Sequence, residues 1–85
     1  MRLSIHTIES TLFDRDVTSV TLPTETGEIT ILERHMPLIS LVKPGRIKIV
    51  EPRGREEVIQ FESTGFLEVE PEGRGVTILA EQHDQ

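Results

Sequence analysis

Histidines, carboxylates and two adjacent hydroxyls are the groups from which a reactive centre would have to be built, because the 85 residues include no cysteine, tryptophan or tyrosine. The three histidines, His6, His35 and His83, lie far apart, and none is paired at the i, i+4 spacing that brings two imidazoles to one metal. Absence of cysteine removes thiolate metal sites and disulfides. Glu56 and Glu57 are adjacent, so on a strand they point to opposite faces and cannot share a proton as a catalytic dyad does. Glu68 and Glu70 share a face and read as the exposed acidic side of a strand. Ser63 and Thr64 have no His or Asp partner by local pattern to activate a hydroxyl. Neither a G-x-x-x-x-G-K-[ST] nor a G-x-G-x-x-G phosphate loop occurs. The expectation is a chain that is not an enzyme, with no catalytic residues, no metal and no cofactor.

The elements that carry these groups are short and extended. Breakers recur at Pro23, Gly27, Pro37, Pro44-Gly45, Pro52 to Gly54, Gly65 and Pro71 to Gly75, leaving no gap with a convincing helical period. Between them apolar residues alternate: Leu3 and Ile5, Val20 and Leu22, Ile29 and Ile31, Ile47 and Ile49, Leu67 and Val69, then Val76, Ile78 and Ala80. A period of two places each set on one sheet face. Residues 51–55 and 70–75 read as hairpin loops, each with glycine available for a tight reversal. A flat sheet of nine or ten such strands would leave an apolar face wet, so the set must fold over. The expected fold class is all-β, a single β-sandwich of about ten short, mainly antiparallel strands. It occupies residues 1–80, followed by a polar tail over 81–85. Leu79 falls on the nominally polar side of the last strand; core packing is expected for it, contact with a partner being the other reading.

Charge narrows the partners. Nine Lys and Arg stand against fifteen Asp and Glu, and the net −6 arises entirely within residues 51–85. That balance opposes a duplex-binding surface, which needs a basic face. The acidic excess is either a solvated surface or the complement of a basic partner. No apolar stretch approaches the roughly 20 residues of a membrane-spanning helix, and the N-terminus lacks the apolar core of a signal peptide. A soluble protein is expected, or one held at a membrane complex through another protein.

Four segments in order are more specific than a generic sandwich needs: G-E-I-T-I-L-x-x-H-x-P-L from Gly27 to Leu38, L-x-K-P-G-x-I-x-I from Leu41 to Ile49, G-F-L-E-V from Gly65, and V-T-I-L-A ending at Ala80. Together they resemble the N-terminal domain of the epsilon subunit family of F-type ATP synthases (delta in mitochondria), across nearly the whole chain. The resemblance implies a β-sandwich of about ten strands and a non-catalytic rotor subunit of a proton-translocating complex. Its partners would be the gamma subunit and the membrane rotor ring, with no nucleic acid and no direct membrane insertion. Its location would be peripheral, on the cytoplasmic face of the cell membrane. The ring-facing residues correspond to Glu25, Thr26, Gly27, Glu28 and His35; for gamma, an apolar patch of Met36, Leu38 and Leu41 is expected. Glu28 as a plain solvated turn residue, His35 as a local loop closure, and the three apolar residues as core are the competing readings. Met36 stands where many relatives have a small residue, and Glu33-Arg34 where Pro-Gly is common. The C-terminal helical hairpin of the family is not in this sequence, so its inhibitory and ATP-binding roles are not carried over. The alternative function is a free-standing β-sandwich module for a small ligand or glycan, disfavoured by the missing aromatic platform. A small hydrolase would need a Ser/His/acid geometry that the spacing does not suggest.

Overall fold

The computed structural model describes residues 1–33, 37–71 and 74–81, and within them the chain forms nine strands and no α-helix. These are β1 (Arg2–His6), β2 (Thr11–Asp16), β3 (Ser19–Thr24), β4 (Gly27–Leu32), β5 (Leu38–Val42), β6 (Gly45–Val50), β7 (Glu56–Phe61), β8 (Gly65–Val69) and β9 (Gly75–Ala80). Hydrogen bonding runs β2-β1-β9-β8-β5-β3-β6-β7, with β4 added to β3. Every pairing is antiparallel except β1 with β9. The path narrows at one point, where β5 meets β3 only through Thr24 opposite Val42. There the sheet turns over. A five-stranded layer, β2-β1-β9-β8-β5, thereby faces a four-stranded layer, β7-β6-β3-β4.

The alternation read from the sequence is what fills the space between the layers. Leu3, Ile5, Leu67, Val69, Val76 and Ile78 project inward from one layer; Val20, Leu22, Ile31, Ile47 and Ile49 project from the other, and all are buried. Register stacks them in rows: Leu3 beside Val76 and Val69, Ile5 beside Ile78 and Leu67, Val20 between Ile31 and Ile49. Each such side chain contributes about 1.5–3 kcal/mol on leaving water, so these rows drive the closure. Both predicted hairpins form. In the β6–β7 loop the amide of Glu51 donates to the Arg55 carbonyl at 2.7 Å and that of Gly54 to the Glu51 carbonyl at 2.8 Å, with Gly54 at φ +87°. In the β8–β9 connection the Glu70 amide donates to the Gly75 carbonyl at 2.9 Å. Of the tail, only Glu81 is among the described residues.

Two strands escaped the alternation rule. β2 carries a single inward apolar residue, Phe13, because it lies at the edge of its layer. β5 (Leu-Ile-Ser-Leu-Val) is apolar at four of five positions because both of its faces carry apolar residues. Leu79 corrects the core expectation: it lies on the outward phase of β9 and is 43% exposed.

β2 and β7 are the two ends of the strand path, and one side chain joins them. The Arg15 guanidinium donates to Glu51 Oε2 at 2.9 Å and to Glu57 Oε1 at 2.7 Å, while lying 4.5 Å from the centroid of the Phe13 ring. Glu56, on the opposite face of β7, approaches Lys48 Nζ at 3.9 Å, so the two adjacent glutamates diverge as the pleat demands. On the outer face of β1 and β2, Asp14 Oδ1 accepts from Arg2 Nε at 2.7 Å and from Ser4 Oγ at 3.3 Å.

Three outcomes follow from this packing. A Cβ on Gly65 would press into the Leu79 carbonyl oxygen and come within 3.1 Å of Phe61 Cζ; Gly65→Ala should therefore cost about 1–3 kcal/mol, read as a lower urea midpoint at unchanged m. Arg15→Met should cost at most about 1 kcal/mol, and that loss should vanish in 1 M NaCl, because an exposed clasp is screened. The Arg2 hydrogen bond holds the Asp14 carboxyl below its ordinary 3.8. A depressed carboxylate stabilises the fold above the unfolded value and loses that contribution as pH falls through the folded one. Asp14→Asn should thus lower the neutral plateau slightly and leave the stability at low pH unchanged, which flattens the acid limb below about pH 4.

Candidate docking surface

The β3–β4 hairpin ends in a tip that backbone geometry holds rigidly. Thr24, 3% exposed, is the buried polar residue at its base. Its Oγ1 donates to the Gly27 carbonyl at 2.7 Å and accepts from the Thr26 amide at 3.2 Å. Gly27 takes φ +119°, a conformation L side chains rarely adopt. The tip is tied to the other layer as well: the Glu25 amide donates to the Leu41 carbonyl at 3.2 Å and the Lys43 amide to the Pro23 carbonyl at 3.1 Å. Glu25, Thr26, Gly27 and Glu28 are all exposed. These four expected ring-contact residues therefore form one cluster. His35 lies outside the described residues; Glu33 before it stands at the far end of β4, a six-residue strand, roughly 20 Å from the tip.

The expected gamma patch divides differently. Met36 lies outside the described residues. Leu38 and Leu41 are three apart on β5, so the pleat sends them to opposite faces. Leu38 packs against the margin of the core, whereas Leu41 is 40% exposed. Leu41 has outward neighbours that the sequence reading did not assign to this patch. It stands opposite Phe66 on β8, which stands opposite Leu79 on β9, at 45% and 43% exposure. Ile39, 76% exposed, adds to the same face one pleat along β5. The next row is polar, with Glu68 and Thr77 beside Ile39. The available signal was phase. In G-F-L-E-V and V-T-I-L-A, Phe66 and Leu79 fall out of step with the core residues, so they must face outward.

Among the described residues no three of His, Asp and Glu come together to hold a metal. His6 Nδ1 lies 3.1 Å from Thr11 Oγ1, and His83 is outside the described residues. Thr64 Oγ1 donates to Glu81 Oε1 at 2.7 Å, a strap between the β7–β8 loop and the end of β9. A depression of about 370 Å³ on the outer face of β3, β6 and β7 is lined by Thr21, Glu28, Arg46, Lys48 and Val58, with no aromatic surface for a sugar.

Fold, register and motif order converge with the similarity to known proteins. The family described as ATP synthase, Delta/Epsilon chain, beta-sandwich domain matches residues 1–84. The chain belongs to that family. It is 43% identical over 81 residues to the ATP synthase epsilon chain of Bordetella petrii, covering 95% of this chain and 55% of that one. Against the epsilon chain of Neisseria meningitidis serogroup B the identity is 36%, with 95% and 56% covered. The chain thus spans about half the length of these curated relatives. Among solved structures, the fold superposes on a chain of the Euglena gracilis mitochondrial ATP synthase (OSCP/F1/c-ring) with a TM-score of 0.84 at 21% identity, covering 94% of this chain and 49% of that one. A chain of the Tetrahymena thermophila mitochondrial ATP synthase central stalk and c-ring gives 0.74 at 17% identity, covering 96% and 63%. At those identities the likeness is one of fold.

Nothing lies within 4 Å of a Cβ built on Gly27, so a substitution there meets only backbone strain. Gly27→Ala should cost about 1–2 kcal/mol by thermal unfolding, whereas Glu28→Ala should leave the midpoint within about 0.5 kcal/mol, as for an ordinary surface position.

Proposed function

We propose that this chain is a non-catalytic subunit of the central stalk of a proton-translocating F-type ATP synthase. In this reading it docks on the gamma subunit through the outward row of β5, β8 and β9 and on the membrane rotor ring through the β3–β4 tip. It turns with gamma, held at the cytoplasmic face of the membrane by those contacts, and helps couple ion flow to ATP synthesis. The observation that carries the reading is the row Leu41–Phe66–Leu79 with Ile39 beside it. Four large apolar side chains share one face, outside a core that is already complete without them. Contiguous apolar surface of this kind marks a protein contact more than a solvated face.

Area makes the same point. A stable contact covers roughly 800 Å² per partner, about a seventh of the 5387 Å² that this chain exposes, so one face of the sandwich suffices. The tip suits a different contact. Its carboxylates stay solvated on a hairpin fixed by Thr24, a geometry for polar, exchangeable pairing with a moving ring. Names of the relatives and the assemblies that hold the two structural neighbours support this assignment. No helix of the described residues is long and apolar enough to cross a membrane.

The test is association with purified gamma by gel filtration and calorimetry. Phe66→Glu should weaken binding at least tenfold while the unfolding midpoint stays within a few degrees, since Phe66 contributes little to the core. Glu28→Ala should weaken co-sedimentation with the rotor ring and leave gamma binding intact. No association of the unsubstituted chain with gamma at micromolar concentration would overturn the assignment.

A further inference from the structure

From the walls of the notch where the two layers join, we infer that it receives an arginine side chain presented by a docking protein. The notch holds about 190 Å³ and is bounded by Glu25, Leu41, Val42, Lys43, Thr64 and Glu81. That volume is below the roughly 300 Å³ at which small-molecule sites begin, so the guest is of side-chain size. Its lining is mostly carbon, with the half-exposed Leu41 its main accessible apolar side chain, and Glu25, Lys43 and Glu81 bring charge to it. Neutral apolar side chains would leave that charge unmatched, and a short polar one would leave the carbon wall wet. An apolar stem ending in a charged head satisfies both.

The sign of the charge selects a cation. Two carboxylates, Glu25 and Glu81, face one ammonium, Lys43, and no ion pair among the described residues joins Lys43 to either. Glu81 is already oriented, because its Oε1 accepts from Thr64 Oγ1 at 2.7 Å, which leaves Oε2 for a second donor. The Glu25 main chain is fixed beside the notch by its amide's bond to the Leu41 carbonyl. Two carboxylates lining one notch suit the planar, many-donor guanidinium better than a single ammonium does. Leu41 also belongs to the outward apolar row, so the notch is continuous with the proposed gamma-facing surface and with the tip. The inference rests on the reading of this end of the sandwich as a docking end.

The experiment needs no partner protein. N-acetyl-arginine methylamide is titrated into the isotope-labelled chain, with the neutral isostere N-acetyl-citrulline methylamide as control, and NMR shifts are followed. The arginine probe should shift the Leu41 and Val42 methyls and the Thr64 and Glu81 amides saturably, while citrulline should not. The double variant Glu25→Gln, Glu81→Gln keeps the shape and the Thr64 hydrogen bond, and should weaken the response about tenfold. Equal responses to the two probes, no saturable response, or an undiminished response in the double variant would each overturn the inference. Failure of the unsubstituted chain to bind the rotor ring or gamma, with the arginine response intact, would instead remove the docking reading and leave the notch standing.

Discussion

One backbone step holds the architecture together: Thr24 opposite Val42, the place where a continuous strand path folds from one layer onto the other. A path this long cannot remain flat, since one entire apolar face would stay in water. The joint is short, and the atoms around it are accordingly well satisfied. Thr24 is buried but spends its hydroxyl on Gly27 and Thr26, and the amides of Glu25 and Lys43 bond across to Leu41 and Pro23. Opposite the joint, Arg15 draws the free ends of the path together through Glu51 and Glu57. The hydrophobic rows supply the driving force; the joint and the clasp decide where the sheet bends and where it closes.

Everything offered to a partner follows from that closure. Once the inward rows are buried, residues on the opposite phase are left outside whatever their chemistry. On the four-stranded layer these are mostly polar or charged, whereas on β5, β8 and β9 they include Ile39, Leu41, Phe66 and Leu79. The contrast separates a face suited to water from one suited to another protein. The tip and the notch come from the joint itself, because the same bonds that tie the layers place Glu25 beside Leu41, and Glu25 and Glu81 line one notch. Docking features and the bend in the sheet are one construction.

Candidate chemistry in the sequence dissolves for related reasons. Glu56 and Glu57 diverge to Lys48 and Arg15, and the Thr64 hydroxyl is committed to Glu81. Extended strands spread polar side chains over two faces and many rows, so convergence of three groups requires a pocket that this thin sandwich does not build around its histidine at position 6 or its hydroxyls.

Period-two spacing, with glycine and proline between the runs, sufficed by itself to determine the fold class, seven of the strands and both hairpins, because alternation is a local property of the pleat. The motif order sufficed for the family. β2 and β5 were less visible, since an edge strand needs only Phe13 to anchor it and a strand apolar on both faces shows no alternation. Phase already separated Leu38 from Leu41, but whether the outward face of β9 is covered, and so whether Leu79 is core or surface, was decided only by the tertiary structure. Phase along a strand says which residues share a face, but which strands stand side by side depends on long-range pairing. That pairing alone sets Leu41 beside Phe66 and Phe66 beside Leu79.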